Sequence, residues 1–310
     1  MSFTENYGSI TEALVIEAVE ELGGFTFGEG PHWDDKTQSL FFVDLVGKSI
    51  HKFVPSVRRH SRIKFDEVPS IIIPLSGCSD RFLITLNRRI AILTWDGINS
   101  TPTSIETVAV VDQEPGLESN RINDGKADHL GNLWAGTMGA DAFPTGPITG
   151  RLFSMNSTKD VRYYRSNIGV SNGIAWSKDL KKMYYIDSIT RVIDQYDFDA
   201  SNRMISNRQI LFSLEMHQIP GVPDGQTIDT DDNLWVAVFD GSRVIKISTD
   251  IPETLLYTVY LPAQFIASVA FGGPNLDELY VTGADKDMNG KVYKVTGLGV
   301  RGLPANRIKI

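Results

Sequence analysis

The chain has 310 residues, 42% hydrophobic and 22% charged, the balance of an ordinary globular protein. Its net charge of −8 argues against a nucleic-acid partner, and no run approaches 18 apolar residues, so no membrane span is expected. Cys78 is the single cysteine, which excludes an internal disulfide, and residues 1–22 lack the basic start of a secretory signal, so a cytoplasmic location is expected.

In chain order, the elements repeat. Residues 1–22 read as an N-terminal extension in which Ala13–Val19 is a candidate closing strand. A first unit runs through Gly30–Trp33, Ser39–Asp44 and Ser49–Phe53. A weaker second unit has Arg81–Thr85 and Arg89–Leu93. The third has Gly125–Asp128, Asn132–Thr137 and Arg151–Phe153; the fourth has Asn172–Trp176, Lys182–Asp187 and Val192–Tyr196. The fifth has Gly225–Asp229, Asn233–Ala237 and Arg243–Ile247; the sixth has Ser268–Phe271, Glu278–Thr282 and Lys291–Val295. The second strands end near Asp44, Thr85, Thr137, Asp187, Val238 and Thr282, at intervals of 41, 52, 50, 51 and 44 residues. Six units of three or four short strands predict an all-β, six-bladed β-propeller formed by residues 1–310 as a single domain. Trp33, Trp134, Trp176 and Trp235 recur at equivalent places and read as core.

Four short segments pair an acid or amide with glycine: Glu29-Gly30, Asp124-Gly125, Asn172-Gly173 and Asp224-Gly225. Each precedes a strand-like run, and the glycines are 95, 48 and 52 residues apart. Any one of them alone reads as a turn. Their shared register predicts that Glu29, Asn172 and Asp224 meet at the central axis. Two carboxylates brought together repel unless a cation or proton lies between them. An all-oxygen set suits one divalent cation, Ca²⁺, Mg²⁺, Mn²⁺ or Zn²⁺, with positions left open for chemistry. Arg121 and Asn123 flank Ile122 and are expected on one face of an extended strand. There they could hold a carbonyl, carboxylate or hydroxyl; the alternative is a structural Arg121 paired with Asp124 or Asp128. His32 could reach a substrate, or simply pack beside Trp33. The sequence has no His-Glu-x-x-His motif, no Gly-x-Ser-x-Gly elbow and no Walker loop.

Gly28–Trp33, Asn123–Asp128, Gly136–Met138, Ser171–Trp176, Tyr184–Asp187, Pro223–Gly225 and the tail Val295–Val300 together resemble the regucalcin/gluconolactonase/luciferin-regenerating-enzyme family. The likeness runs from about Gly28 to Gly302, and Ile90–Gly97, Leu180–Asp187, Asn233–Phe239 and Gly273–Tyr280 look most like the insect luciferin-regenerating branch. Segment 283–290 is shorter than the corresponding loop of those relatives. The resemblance implies a six-bladed propeller with an axial divalent cation on Glu29, Asn172 and Asp224. It implies Asp224 as general base, substrate contacts at Arg121 and Asn123, and a further polar contact near Asp141. The activity it implies is metal-dependent hydrolysis of a small ring, either oxyluciferin toward a 2-cyano-6-hydroxybenzothiazole precursor or a sugar lactone. A calcium-binding regulator without catalysis is the competing expectation. A monomer acting on a small molecule is expected. Loops 139–149 and 283–290 are expected at the channel mouth, with Phe143, Pro144 and Pro147 as a candidate apolar wall.

Overall fold

The computed structural model describes residues 13–140 and 142–310. It is a ring of six four-stranded antiparallel sheets. Blades 1 to 5 each use four consecutive strands, innermost first. The innermost strands of blades 1 to 6 are Gly28–Asp34, Pro69–Pro74, Arg121–Ala127, Ser171–Trp176, Val222–Ile228 and Phe265–Gly272, each in contact with its two neighbours around the ring. Blade 6 takes its fourth, outermost strand from the N-terminus: Val15–Ala18 pairs with Gly290–Thr296. A chain end that completes the last sheet removes an open edge and locks the ring.

The core lies between blades rather than within one sheet. Each hydrophobic cluster joins neighbours: Ile71, Ile73 and Leu83 of blade 2 pack on Leu133, Ala135 and Phe153 of blade 3, and Ile186 and Ile193 of blade 4 pack on Val236 and Ile245 of blade 5. The second strands are therefore buried on both faces, as in Ser39–Asp44 and Leu133–Met138. This is why they read as continuous apolar runs rather than as alternation. The outermost strands, such as Ser104–Val110 and Leu255–Tyr260, are mostly exposed. Sequence reading found the second and third strands well but left the outermost ones unassigned, because a half-solvated edge strand has little apolar signal. It also missed the innermost strand of blade 2, Pro69–Pro74, whose prolines and apolar run lack the acid-glycine mark.

The recurrent tryptophans are core, and two of them are fixed by an aspartate. Trp134 Nε1 donates to Asp128 Oδ2 at 3.0 Å, and Trp235 Nε1 donates to Asp229 Oδ2 at 2.9 Å. In both blades the same aspartate accepts an asparagine backbone N–H, from Asn132 or Asn233, at 2.9 Å. Asp128 is thus committed to the turn and is not the partner of Arg121.

The four acid-or-amide–glycine pairs do not sit before the innermost strands; they sit inside them. Pairing with the second strand shifts register at Glu29/His32, Asn172/Ile174 and Pro223/Gln226, and between Ile122 and Asp124 in blade 3. A bulge adds a residue to one strand and re-aims the side chain beside it. The glycine is needed for close approach. A Cβ on Gly173 would lie 2.7 Å from the Asp224 carbonyl of the next blade, and one on Gly225 would lie 2.0 Å from Ser268 Oγ. Any larger residue would push the innermost strands apart at the axis.

Candidate metal and substrate site

All six innermost strands run in the same sense around the ring, so their starts gather at one mouth of the channel and their ends at the other. Glu29, Arg121, Asn123, Asn172 and Asp224 each lie within three residues of the start of their strand. They line one cavity of about 140 Å³. The chain entering these strands is tied down by aspartates at the ends of the second strands. Asp44 accepts the backbone N–H groups of Thr26 and Phe27, both at 2.9 Å, and Asp187 accepts those of Gly169 and Val170 at 3.1 and 3.0 Å. In blade 3, Asp112 does a related task through Asn120 and Thr137, each at 2.6 Å.

Within the site, Arg121 Nη1 donates to Asn123 Oδ1 at 2.6 Å. Asn123 Nδ2 donates to the Ser171 carbonyl at 2.9 Å and to Asn172 Oδ1 at 3.3 Å. Ser188 Oγ accepts from Asn172 Nδ2 at 2.9 Å, which turns the amide oxygen of Asn172 toward the cavity side. Glu29 Oε2 accepts the Gly30 N–H at 2.8 Å. Asp224 Oδ1 is buried with no hydrogen-bond partner.

The electrostatics are those of an under-compensated anion pair. Burial, then the nearby Asp124, pushes Glu29 up to about 8, against smaller opposing effects of the Gly30 N–H and Arg121. Asp224 is pushed well above the usual carboxylate range by burial, then by Glu29 and Asp124, with Arg121 opposing. Glu29 and Asp224 are only 8% and 5% exposed, so water does little to relieve this. The donor set fits a hard divalent cation: two buried carboxylates, one amide oxygen and an orphaned carboxylate atom. Among the described residues no cluster of three or more His, Cys, Asp or Glu side chains forms a metal-type group. The trio here contains two carboxylates and draws its third oxygen from an amide.

Not every sequence candidate lies here. Asp124, also buried, accepts the Gly125 N–H at 2.7 Å and lines a separate cavity at the opposite mouth. His32 lines that second cavity too, because it lies beyond the Glu29 bulge on the way to the other mouth. Asp141 lies outside the described residues. Segment 139–149 contributes Phe143, which meets Phe239 edge to face at 6.0 Å, but segment 283–290 supplies none of the lining. The apolar wall is instead built by Phe27, Leu45, Phe143 and Phe239. Of these only Phe143 was a sequence candidate. Ser188 was also missed: nothing in Asp187-Ser188 marks it as the residue that orients Asn172.

Comparison with known proteins gives the family. Residues 27–285 match the family described as SMP-30/Gluconolactonase/LRE-like region. Regucalcin of Xenopus laevis is 35% identical over 294 residues, covering 90% of this chain and 93% of its own, and regucalcin of Oryctolagus cuniculus is 36% identical over 292 residues, covering 89% and 93%. Among solved structures, a luciferin-regenerating enzyme is 55% identical, with a TM-score of 0.93, covering 96% of this chain and all of its own. A regucalcin from Agrobacterium tumefaciens shares the fold at 20% identity and a TM-score of 0.82, covering 94% and 97%. The chain belongs to the SMP-30/gluconolactonase/luciferin-regenerating-enzyme family.

Proposed function

We propose that this protein is a divalent-cation-dependent hydrolase of small cyclic carbonyl compounds, and that an aromatic heterocycle of the oxyluciferin type suits it better than a sugar lactone. The observation that carries the reading is the pair of buried carboxylates, Glu29 and Asp224, each held above its usual range and set with Asn172 around a cavity of about 140 Å³. Glu29, Asn172 and Asp224 would hold the cation. Bound there, a hard divalent cation supplies Lewis-acid polarisation of a carbonyl and lowers the pKa of water. Asp224, through its unpartnered Oδ1, takes the proton of the attacking water. Water oxygen bonds to the ring carbonyl carbon, the acyl–heteroatom bond breaks, and the departing heteroatom takes up the proton. Arg121, held by its Nη1 hydrogen bond to Asn123 Oδ1, offers its remaining guanidinium N–H groups to the developing oxyanion, and Asn123 keeps it in place.

The aromatic preference rests on Phe27, Phe143 and Phe239 in the wall and on the 55% identity with a luciferin-regenerating enzyme. The active unit is a monomer acting in the cytoplasm on a small molecule, with no nucleic-acid or membrane partner. No helix among the described residues is long and apolar enough to cross a membrane. The test is a panel of oxyluciferin, gluconolactone and simple aromatic lactones, run on chelated protein with each cation added back. The reading expects cation-dependent turnover, highest for the aromatic heterocycle. Cation binding without turnover of any ring would leave a calcium-binding protein. Turnover of gluconolactone alone would make it a sugar lactonase.

A further inference from the structure

In every blade the first residue of the innermost strand pairs with a residue at the end of the second strand, at the mouth that holds Glu29, Asn172 and Asp224. By register these second-strand residues are Asp44, Leu86, Met138, Asp187, Phe239 and Ala284 in blades 1 to 6. In blades 1 and 4 the position is an aspartate. Its carboxylate accepts the two backbone N–H groups just before the innermost strand, from Thr26 and Phe27 and from Gly169 and Val170. In blade 5 the corresponding two residues are Pro220 and Gly221. Proline has no N–H, so an aspartate opposite them would have one donor to accept instead of two. Blade 5 carries Phe239 there, and the position is free to face the site.

Three other rings hold this one. Phe265 of blade 6 stacks on Phe239 with centroids 5.0 Å apart and planes 25° apart, and it does not line the cavity. Phe27 of blade 1 and Phe143 of segment 139–149 each meet Phe239 edge to face at 6.0 Å, and both line the cavity with it. Phe265 therefore backs Phe239 from outside, and Phe239 presents to the cavity a ring whose plane is fixed. Its backbone is fixed too, since it ends a strand whose other five residues are buried. Phe143, by contrast, stands on a loop and is 44% exposed. A flat ring laid against such a platform gains an aromatic contact beyond the area it buries. A polyhydroxylated ring in the same place would lose hydrogen bonds to water, because phenylalanine offers neither donor nor acceptor in return.

We propose that Phe239 is the specificity-determining residue of this mouth: its fixed ring is the platform on which the flat bicyclic part of the substrate lies, bordered by Phe27 and Phe143. The proposal rests on the reading of this cavity as the substrate site. It deepens that reading by assigning the choice of a flat ring over a puckered one to a single position, one that blades 1 and 4 spend on a structural aspartate.

The experiment reads binding rather than turnover, by calorimetry on the full chain with two matched probes. These are 2-naphthol and decahydro-2-naphthol, which share a skeleton and a hydroxyl and differ in flatness. The wild type is expected to bind 2-naphthol with Kd below about 1 mM, and about five- to tenfold tighter than the decahydro compound, the worth of one aromatic contact. Phe239→Leu brings that ratio to about one, and Phe239→Tyr, which keeps the ring, preserves it. A role in packing alone would weaken both probes alike and leave the ratio where it was. Circular dichroism establishes that each variant is folded; should Phe239→Leu not fold, Phe239→Ile, which also removes the ring, decides. A wild-type ratio in Phe239→Leu overturns the proposal. So does loss of the ratio in Phe239→Tyr, a wild type without preference for the flat probe, or absence of saturable binding. Failure of the hydrolase reading looks different. A protein that shows the Phe239-dependent ratio and turns over no ring keeps Phe239 in this role, whereas aromatic turnover with the ratio intact in Phe239→Leu removes Phe239 and leaves the hydrolase standing.

Discussion

The two mouths of the channel are built by opposite ends of the same strands, yet their chemistry differs: two carboxylates outnumber one cation at the first, and one carboxylate matches one cation at the second. At the first, Glu29 and Asp224 face one another with Arg121 as their nearby cation. At the second, Lys126 and the Asp124 carboxylate stand together among mostly apolar walls beneath a strap of chain. One strand, Arg121–Ala127, reaches both, with Arg121 at one end, Asp124 between and Lys126 near the other. The difference comes from what closes each mouth. The first is closed by loops that leave an opening beside Phe143, whose side chain is 44% exposed. The second is spanned by the C-terminal segment, hydrogen-bonded at both its ends.

The largest effect that could break this comparison is catalytic. Asp224→Asn is expected to reduce hydrolytic turnover by about 10²–10⁴-fold, while far-ultraviolet circular dichroism stays that of the wild type. Wild-type rates in that variant with cation present would remove Asp224 as the base and with it the division of labour between the mouths.

Next in size is the stability of the cation-free protein. Burial and Asp124 raise Glu29 to about 8, so in the cation-free fold it keeps at pH 7 a proton that the unfolded chain gives up, at a cost of about 3 kcal/mol. Glu29→Gln is expected to unfold at higher denaturant than the chelated wild type, and to lose the stabilisation that added Ca²⁺ or Mn²⁺ gives the wild type. If the variant is less stable than the chelated wild type, Glu29 holds the structure together and the first mouth is not strained for function.

A pH scan then separates both mouths from the rest of the blades. His51 is fully buried, stacked on Phe42, with Ser49 and His60 on its two ring nitrogens at 2.8 Å each. Burial, then His60, lowers it to about 3. Above pH 6.5 the ring is neutral in both folded and unfolded chains. Below it the unfolded chain takes the proton first, so the contribution of His51 to stability falls as pH drops from 6.5 toward 3, by about 2 kcal/mol at pH 5, opposite in sign to that of Glu29. Denaturant unfolding of the wild type and of His51→Phe at pH 7 and pH 5 measures this as the difference between the two proteins, and the variant is expected to lose the acid-side penalty. An unchanged slope would assign the acid sensitivity elsewhere.

The smallest expected change concerns the open rim. Phe143→Ala is expected to weaken binding of a benzothiazole by roughly five- to tenfold, the value of one aromatic contact of about 1 kcal/mol, and to leave gluconolactone kinetics nearly unaltered. Equal loss for both ligands would mean that Phe143 only packs its loop against Phe239.

The sequence by itself determined the architecture and the polar half of the first mouth. A steady period near 50 residues and apolar second strands can be satisfied only by stacking like units face to face, and six units in a ring put equivalent positions at one axis. That is why the acid-or-amide–glycine pairs brought Glu29, Asn172 and Asp224 to the axis, although the same pattern also marks Asp124, which lines the other cavity. The bulges that hold those residues were read as turns, since an Asx-Gly pair has the same composition in either setting. Tertiary structure decided what comes from elsewhere in the ring. Ser188 orients Asn172, Phe27 and Phe239 complete the wall, and residues 302–308 cross to blade 2. It also separated residues that are neighbours in sequence: Glu29 from His32, and Asn123 from Lys126, lie at opposite mouths because an extended strand advances about 3.3 Å per residue. Local pattern records which residues share a strand. Which end of the channel each one serves depends on the direction in which the ring is assembled and on the chain segments that close it, and both are set by contacts between residues far apart in sequence.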